Sequence, residues 1–565
     1  MAAAKKIQIY DTTLRDGCQS EDVSLTVEDK VQIAERLDDL RIDYIEGGWP
    51  GSNPRDAAFF TEIKRVRLTH AKIVAFGSTR RHGVKAAADR NLQLILRAGT
   101  AAACVVGKTW DLHVHDALRI PLKANLEVLH DTIKFLKQHL DEVIFDAEHF
   151  FDGYAANPEY ALECLRAAEA AGVDRICLCD TNGGRLPHEV GATVRAVATA
   201  LSAPLAIHCH NDAEVAVANS IAAVVAGATQ VQGTINGLGE RCGNANLISI
   251  IANLQLKLGY DCVPPARLKA LRETSRLVYE LANLTPYSRQ PYVGRSAFAH
   301  KAGLHVSAIQ RNVRTYEHID PVLVGNDRRV LLSELSGRAN ILYKTREFGF
   351  GSELSSDQLD HLLDELKRLE GQGYVFDGAD ASFELLMLRT LGLARDHFNF
   401  ISFRVFDDKW HEDQAPFSEA VVVIEGPDGC RTRTSAIGNG PVNALDSALR
   451  SALLPYYPKL ARMQLVDYKV RVLDDNAGTG ARVRVLIEST DGARQWGTVG
   501  LSSNVVEASW QALLDSVEFK LHKDNVKPQI ERGPAARSAR ANGAGGGAGS
   551  KPRRPRPSGQ LETKT

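Results

Sequence analysis

RICLCDTNGGRLPHEVGATVRAVATALSAPLAIHCHND (175–212) is the stretch of sequence that decides the fold. An apolar run of strand length is followed by glycines, by a segment long enough for a helix, and by a second apolar run. Parallel neighbouring strands need a crossover connection, which is usually a helix, so this order is typical of a parallel sheet. The stretch therefore predicts a strand–helix–strand unit.

The same rhythm recurs through the first 250 residues. The segments between the apolar runs, such as TVEDKVQIAERLDDL (26–40), have apolar residues at helical spacing. Eight runs predict a closed (β/α)8 barrel. The alternative is an open, doubly wound sheet, which is disfavoured because no GxGxxG follows the first run. The predicted strands lie within 7–17, 42–50, 72–78, 92–99, 142–150, 175–184, 204–212 and 229–237.

The rest of the chain predicts a different architecture. Residues 276–400 are less regular and more helical, whereas 401–525 hold three strand runs and a helix twice over. TSAIGNGPVNALDSAL (434–449) aligns with TVGLSSNVVEASWQAL (498–513), which indicates an internal βββα duplication. We therefore expect a barrel domain at 1–275, helical linker subdomains at 276–400, a duplicated α+β domain at 401–525, and a disordered basic tail at 526–565.

Composition excludes several classes of protein. The formal net charge of −1 gives no sign of a nucleic-acid partner. No run of about 18 apolar residues occurs, and MAAAKK leads directly into a strand-like IQIYD, so neither a membrane span nor a leader is expected. The nine cysteines include no CxxC pair, which suits a reducing compartment. We expect a cytoplasmic protein without membrane or nucleic-acid partners.

Polar side chains accumulate where the predicted strands end, and in a (β/α)8 barrel this end carries the active site. Scattered polar residues would also suit a non-catalytic barrel, but a rim with this many acids and imidazoles is typical of an enzyme. The residues are Arg15, Asp16, Asp146, Glu148, Asp180, Thr181, Asn182, His208, His210 and Asn244.

His208 and His210 are the strongest single feature of this rim. Side chains two apart on a strand point to the same face, so both imidazoles can reach one ion. Asp16 of the first strand lies near enough to join them once the barrel closes. Asn244 offers an amide oxygen, although an asparagine in a glycine-rich loop is also a common turn residue. Such mixed ligands fit Mn²⁺, Mg²⁺, Zn²⁺ or Co²⁺ at an open site.

Two further rim residues suit acid–base and electrostatic roles. Arg15 is a permanently charged donor beside Asp16 and suits a developing oxyanion, or else a salt bridge to an acid of a neighbouring strand. Glu148 is the best-placed base, or else a purely positioning residue. Asp146 shares its face, so one of the two carboxylates would be the base and the other its support, or their like charges would raise the pKa of one of them.

Four motifs resemble the isopropylmalate, homocitrate and citramalate synthase family. They are DTTLRDG (11–17), HCHND (208–212), GLGERCGN (237–244) and HKAGLHVSA (300–308). The duplicated segment at 401–525 is similar to that family's C-terminal regulatory domain, so the resemblance covers about residues 5–525. It implies an enzyme that joins acetyl-CoA to a 2-keto acid, with a divalent metal as cofactor.

The resemblance also implies roles for individual residues. Asp16, His208, His210 and Asn244 would bind the metal. Arg15 would polarise the keto oxygen, Thr181 would hold the keto acid's carboxylate, and Glu148 would be the base. His305 and Tyr316 match residues that reach the site from a partner subunit, so at least a homodimer is expected.

The choice of keto acid within the family is predicted from two segments only. IEGGWPGSNPRD (45–56) and VVGKTWDLHV (105–114) look like the citramalate synthases, which condense acetyl-CoA with pyruvate. That reading implies isoleucine as the effector, and we expect its site near GNGPVN (438–443). The alternatives are isopropylmalate synthase, which takes 2-ketoisovalerate, homocitrate synthase, a related acyl-CoA lyase, and a non-catalytic amino-acid-sensing barrel.

Overall fold

The computed structural model describes residues 4–331, 338–350, 354–409, 411–413, 415–473 and 478–529. The chain divides after Leu331 into two compact units. That division falls within the segment 276–400. The predicted domain boundaries at 275, 400 and 525 remain predictions, and the predicted tail beyond residue 529 lies outside the described residues.

The first unit is built on a closed barrel of eight parallel strands, which confirms the predicted fold class and excludes the open sheet. Each strand pairs with the next, and the eighth pairs back with the first. The strands are β1 (Gln8–Asp11), β2 (Tyr44–Gly48), β3 (Lys72–Ser78), β4 (Ala102–Lys108), β5 (Glu142–Glu148), β6 (Arg175–Asp180), β7 (Leu205–Cys209) and β8 (Gln230–Gly233).

Helices connect the strands and cover the outside of the barrel, and most of the unit's core lies between the two layers. The helices of this unit are α1 (Val27–Leu40), α2 (Pro54–Glu62), α3 (Arg90–Ala98), α4 (Asp111–His113), α5 (Leu122–Lys137), α6 (Phe150–Ala156), α7 (Pro158–Ala170), α8 (Pro187–Ala200), α9 (Ala216–Ala226), α10 (Leu247–Leu256), α11 (Leu271–Leu281) and α12 (Gly303–Arg311). After the barrel, two short parallel strands, β9 (Ala299–His300) and β10 (Arg329–Val330), pair with each other.

The fourth predicted strand, at 92–99, is wrong. Those residues form α3, in which Leu92 and Ile95 are buried at helical spacing. Asp89 caps its first turn, and Gly99 ends it with a φ of 70°. The true fourth strand is β4, which pairs with β3 and β5. A short apolar run does not by itself distinguish a strand from a buried helix segment.

In the described part of the second unit, three helices precede the predicted duplication. The helices are α13 (Arg338–Glu347), α14 (Ser356–Gln372) and α15 (Asp380–Thr390). The first repeat is β11 (Asn399–Asp408), β12 (Phe417–Glu425), β13 (Arg431–Gly438) and α16 (Pro441–Leu453). The second is β14 (Gln464–Val472), β15 (Val483–Thr490), β16 (Gln495–Ser502) and α17 (Val505–Lys523).

The two repeats agree in their details, which confirms the duplication. Each forms a three-stranded antiparallel sheet in sequential order, and each packs its helix on its second and third strands. The first strand of each repeat also has a register shift near its start, between Phe400 and Ser402 in one and between Leu465 and Asp467 in the other. Within the part of the chain described, no helix is long and apolar enough to cross a membrane.

Candidate metal centre and active site

Three predicted ligands meet at the mouth of the barrel. Asp16, in the turn after β1, places Oδ2 3.4 Å from Nε2 of His208 on β7. The Nε2 atoms of His208 and His210 are 3.3 Å apart. All three side chains are buried. This convergence of two imidazoles and a carboxylate is the arrangement predicted from the sequence, and it gives the donor set of an open divalent-metal site.

The orientation of His208 is fixed from the side away from Asp16. Its Nδ1 lies 3.1 Å from Oε1 of Gln232, and Nε2 of Gln232 donates to Oδ1 of Asp146 at 3.0 Å. Because the carboxylate accepts from the Gln232 amide nitrogen, the amide oxygen faces His208 and accepts from Nδ1–H. The lone pair of Nε2 on neutral His208 is then free to bind a metal, as in many metal sites where an outer partner sets the tautomer.

The charges in the site favour a cation between the three ligands. Burial would raise the pKa of Asp16, but Arg15 and His208 hold it well below its usual range. Burial would lower the pKa of His208, but the hydrogen bond and charge of Asp16 raise it. Burial and the charge of His208 lower the pKa of His210 to about 3. The negative charge of Asp16 thus favours positive charge in the space between the three side chains.

Asn244 lies beside the three ligands on the loop after β8. A backbone bridge joins it to His210, and its Nδ2 donates to the carbonyl of Leu238 at 3.2 Å. The loop needs glycine at 243, where φ is 89° and a Cβ would lie 2.0 Å from the carbonyl oxygen of Gly237. Oδ1 of Asn244 and Nδ1 of His210 are buried and have no hydrogen-bond partner among the described residues. A buried, unpaired amide oxygen fits a fourth ligand.

Arg15 forms the salt bridge that was one of its two predicted alternatives, and its role at a developing oxyanion remains a prediction. Its Nε lies 2.5 Å from Oε1 of Glu46 on β2, which is the predicted salt bridge to a neighbouring acid. Its Nη1 is 3.5 Å from Oδ1 of Asp16, and the guanidinium stacks on the ring of Phe76 with 3.9 Å to the centroid. The side chain keeps 13% of its surface exposed.

Glu148 and Thr181 lie on the neighbouring part of the rim. Glu148 ends β5 and forms an ion pair with Lys108, the last residue of β4. Oγ1 of Thr181 accepts a hydrogen bond from the backbone N–H of His149 at 2.9 Å, so its hydroxyl proton can be donated to a ligand. Asp146, expected to support Glu148, instead accepts from Gln232.

His305 and Tyr316 lie after the barrel, on α12 and in the loop that follows it. Their rings stack with centroids 4.0 Å apart and an interplanar angle of 26°. Tyr316 is 47% exposed. The two residues therefore contact each other within one chain, and their contribution to the active site of a partner subunit remains a prediction.

Sequence reasoning missed three residues of the site: Lys108, Gln232 and Glu46. Lys108 was hidden by the wrong fourth strand. Gln232 and Glu46 lie inside predicted strands rather than at their ends. An available signal was a polar residue inside a strand near its carboxyl end, one position before the end of β8 for Gln232 and two before the end of β2 for Glu46.

Family comparisons cover nearly the whole described chain. Residues 6–278 match the HMGL-like family, 292–373 match the homocitrate synthase post-HMGL domain-like family, and 377–521 match the LeuA allosteric (dimerisation) domain.

Full-length relatives give a more specific comparison. The (R)-citramalate synthase of Geobacter sulfurreducens is 57% identical over 517 residues, which are 92% of this chain and 98% of that protein. The (R)-citramalate synthase of Aquifex aeolicus is 54% identical over 522 residues, 92% of this chain and 99% of that protein. The 2-isopropylmalate synthase of Methanocaldococcus jannaschii is 30% identical over 520 residues, 92% of this chain and 95% of that protein.

Proposed function

The chain belongs to the (R)-citramalate synthase family, and from that premise we propose that it condenses acetyl-CoA with pyruvate and hydrolyses the resulting thioester to give (R)-citramalate. The observation that carries the proposal is the convergence of Asp16, His208 and His210 at the barrel mouth. The family resemblance in motifs and in the regulatory-type domain supports the same reaction.

We propose that a divalent ion, Mn²⁺, Mg²⁺, Zn²⁺ or Co²⁺, is held by Asp16, His208, His210 and Asn244. The buried and unpaired Oδ1 of Asn244 and the charge balance of the triad support this ligand set. A bound ion supplies Lewis-acid polarisation of a keto group and of its carboxylate. Coordination geometry and metal availability decide selectivity among these four ions more than raw affinity does.

The side chains around this centre divide the remaining tasks. Thr181 donates a hydrogen bond from its hydroxyl to the pyruvate carboxylate, and Arg15 stabilises the negative charge that develops on the keto oxygen. Glu148 takes a proton from the acetyl-CoA methyl group. The C–H electron pair becomes a C=C bond while the thioester C=O π pair moves to oxygen. That pair returns as the enolate carbon bonds to the keto carbon, and the keto C=O π pair moves to the keto oxygen. Water attacks the thioester carbonyl in the last stage, and the thiol of CoA leaves.

We propose that the working enzyme is a homodimer in the cytoplasm, regulated by isoleucine. The match to a dimerisation domain supports the dimer. His305 and Tyr316 would reach the partner's site; the exposure of Tyr316, on whose ring the half-buried His305 stacks, leaves that residue accessible. The loop at 438–443, which leads into α16, stays our proposed location for the effector.

The deciding experiment measures release of free thiol from acetyl-CoA with pyruvate, 2-ketoisovalerate or 2-oxoglutarate, each with and without a chelator. We expect activity with pyruvate that the chelator abolishes and added metal restores. Preference for 2-ketoisovalerate would refute the substrate assignment in favour of isopropylmalate synthase. Binding of isoleucine without thiol release or bound metal would refute the enzyme assignment in favour of a sensor.

A further inference from the structure

The ion pair between Lys108 and Glu148 joins the ends of two neighbouring barrel strands. The two residues are directly paired in the β4–β5 register, so their side chains leave the sheet on the same face. The ammonium and the carboxylate are in contact, and their side chains are 27% and 23% exposed. The pair therefore lies at the carboxyl-terminal rim, where substrates of such barrels react.

The backbone on both sides of this pair is anchored. The Thr109 hydroxyl donates to the carbonyl of Glu148 at 2.8 Å. Nδ2 of the buried Asn125 donates to the carbonyl of Lys108 at 2.9 Å and to the Tyr160 hydroxyl at 2.9 Å. Because the backbone at both strand ends is held by hydrogen bonds, the two side chains lose little conformational entropy when they contact a substrate. This is the condition for a preorganised site.

Open space adjoins the pair. A cavity of about 450 Å³ is lined by both Lys108 and Glu148, together with Trp49, Arg80 and Leu118. Its volume lies in the range of small-molecule sites, and its lining combines apolar side chains with cations. A substrate in this cavity can contact the ammonium and the carboxylate at the same time.

A second lysine–glutamate pair shows what a purely structural bridge looks like in the same barrel. Lys72, at the start of β3, lies 2.8 Å from Glu142, at the start of β5. This pair lies at the amino-terminal end of the strands, opposite to the Lys108–Glu148 pair, and the side chain of Lys72 is 56% exposed. Such exposed ion pairs contribute little to the free energy of unfolding.

We propose that Lys108 is a catalytic residue that donates a hydrogen bond to the thioester oxygen of acetyl-CoA while Glu148 removes the methyl proton. The proton moves from carbon to the Glu148 carboxylate, the C–H pair becomes the C=C bond, and the C=O π pair moves to oxygen. Protonation removes the negative charge of Glu148, so the Lys108 ammonium transfers its interaction to the new negative oxygen. The inference rests on the proposed function, in which Glu148 is the base.

The test compares Lys108→Met, Lys108→Arg and the matched control Lys72→Met in the metal-loaded enzyme. Loss of one such donor is expected to lower kcat by about 100- to 1,000-fold. In Lys108→Met, methyl-deuterated acetyl-CoA should show a larger isotope effect on kcat than in the parent, because proton removal becomes rate-limiting. Metal content and pyruvate affinity should stay unchanged. Lys108→Arg should recover part of kcat, and Lys72→Met should match the parent.

Several results would overturn the inference. One is a folded Lys108→Met enzyme with parental kcat and isotope effect, and another is a fall in kcat with no rise in the isotope effect. Lys108→Gln, which keeps a polar side chain, replaces the methionine variant if that variant does not fold. The variant Glu148→Gln distinguishes failure of the proposed base, Glu148, from failure of the proposed donor, Lys108. If it retains activity, the base assignment fails, whereas if it is inactive and Lys108→Met is not, only the role of Lys108 fails.

Discussion

Replacing Gln232 with leucine should weaken metal binding without touching a ligand. The side chain accepts from Nδ1 of His208 at 3.1 Å and donates to Asp146 at 3.0 Å. Leucine removes both hydrogen bonds, so the imidazole loses the partner that sets its tautomer. Loss of such an outer partner lowers metal affinity about 10- to 100-fold, which corresponds to about 1.4 to 2.8 kcal/mol of binding free energy.

The same change should also cost stability. Asp146 would keep a buried carboxylate with one donor fewer, and leaving a buried polar group short of a partner costs about 1–3 kcal/mol. The assay is the metal dissociation constant, measured by competition with a chromophoric chelator at fixed pH. The free energy of unfolding of the metal-free protein is measured in parallel.

Gln230 provides the matched control one layer deeper on the same strand face. It is buried, and neither amide atom has a hydrogen-bond partner among the described residues. Gln230→Leu should therefore leave metal affinity unchanged and leave stability equal or higher. The reasoning is refuted if Gln232→Leu binds metal as the parent does, or if the two variants weaken binding equally.

Three other perturbations test the metal ligands, the shared active site and the stability of the second unit. Alanine at both His208 and His210 should abolish bound metal after dialysis, as measured by elemental analysis, and retained stoichiometric metal would contradict the ligand assignment. Mixing Glu148→Gln subunits with His305→Ala subunits should restore about one quarter of parental activity, because random pairing makes half of the dimers mixed and each mixed dimer has one intact site; no recovery in verified mixed dimers would contradict the shared site. A hydrogen bond from Lys520 lowers the pKa of Asp491 in the folded protein to about 2. Because this pKa lies below that of the unfolded chain, the ion pair contributes to the free energy of unfolding above about pH 4. The contribution is lost as pH falls toward 2. Asp491→Asn should therefore differ most from the parent near neutral pH, and an equal difference at all pH values would contradict this.

The fold was predictable because its signals are periodic and repeated. Seven of the eight barrel strands lie within the predicted runs, and the βββα duplication was visible as an alignment of the chain with itself. The fourth strand was misplaced at 92–99 because α3 is short and strongly apolar on one face. The true strand, AACVVGK, contains small residues and a glycine, and its β character depends on pairing with both neighbours.

Parts of the site were predictable to different degrees for physical reasons. The meeting of His208 and His210 follows from strand geometry, and that of Asp16 follows from closure of the barrel. The unpaired Oδ1 of Asn244 depends on the conformation of a glycine-rich loop, which periodicity does not encode. The partner of Glu148 depends on the register between β4 and β5, so the error in one strand removed Lys108 from consideration.

The rim and the layer beneath it form one electrostatic unit. Glu46 holds Arg15 against Phe76, and Gln232 links Asp146 to His208. These supports are fully or nearly buried, where an interaction between polar groups is stronger than in water and an unmade one is costly. Their role is therefore to hold the rim residues in one geometry, and the barrel interior is polar where a purely structural barrel would pack aliphatic side chains. A polar residue inside a barrel strand is for this reason as informative about chemistry as a polar residue at its end.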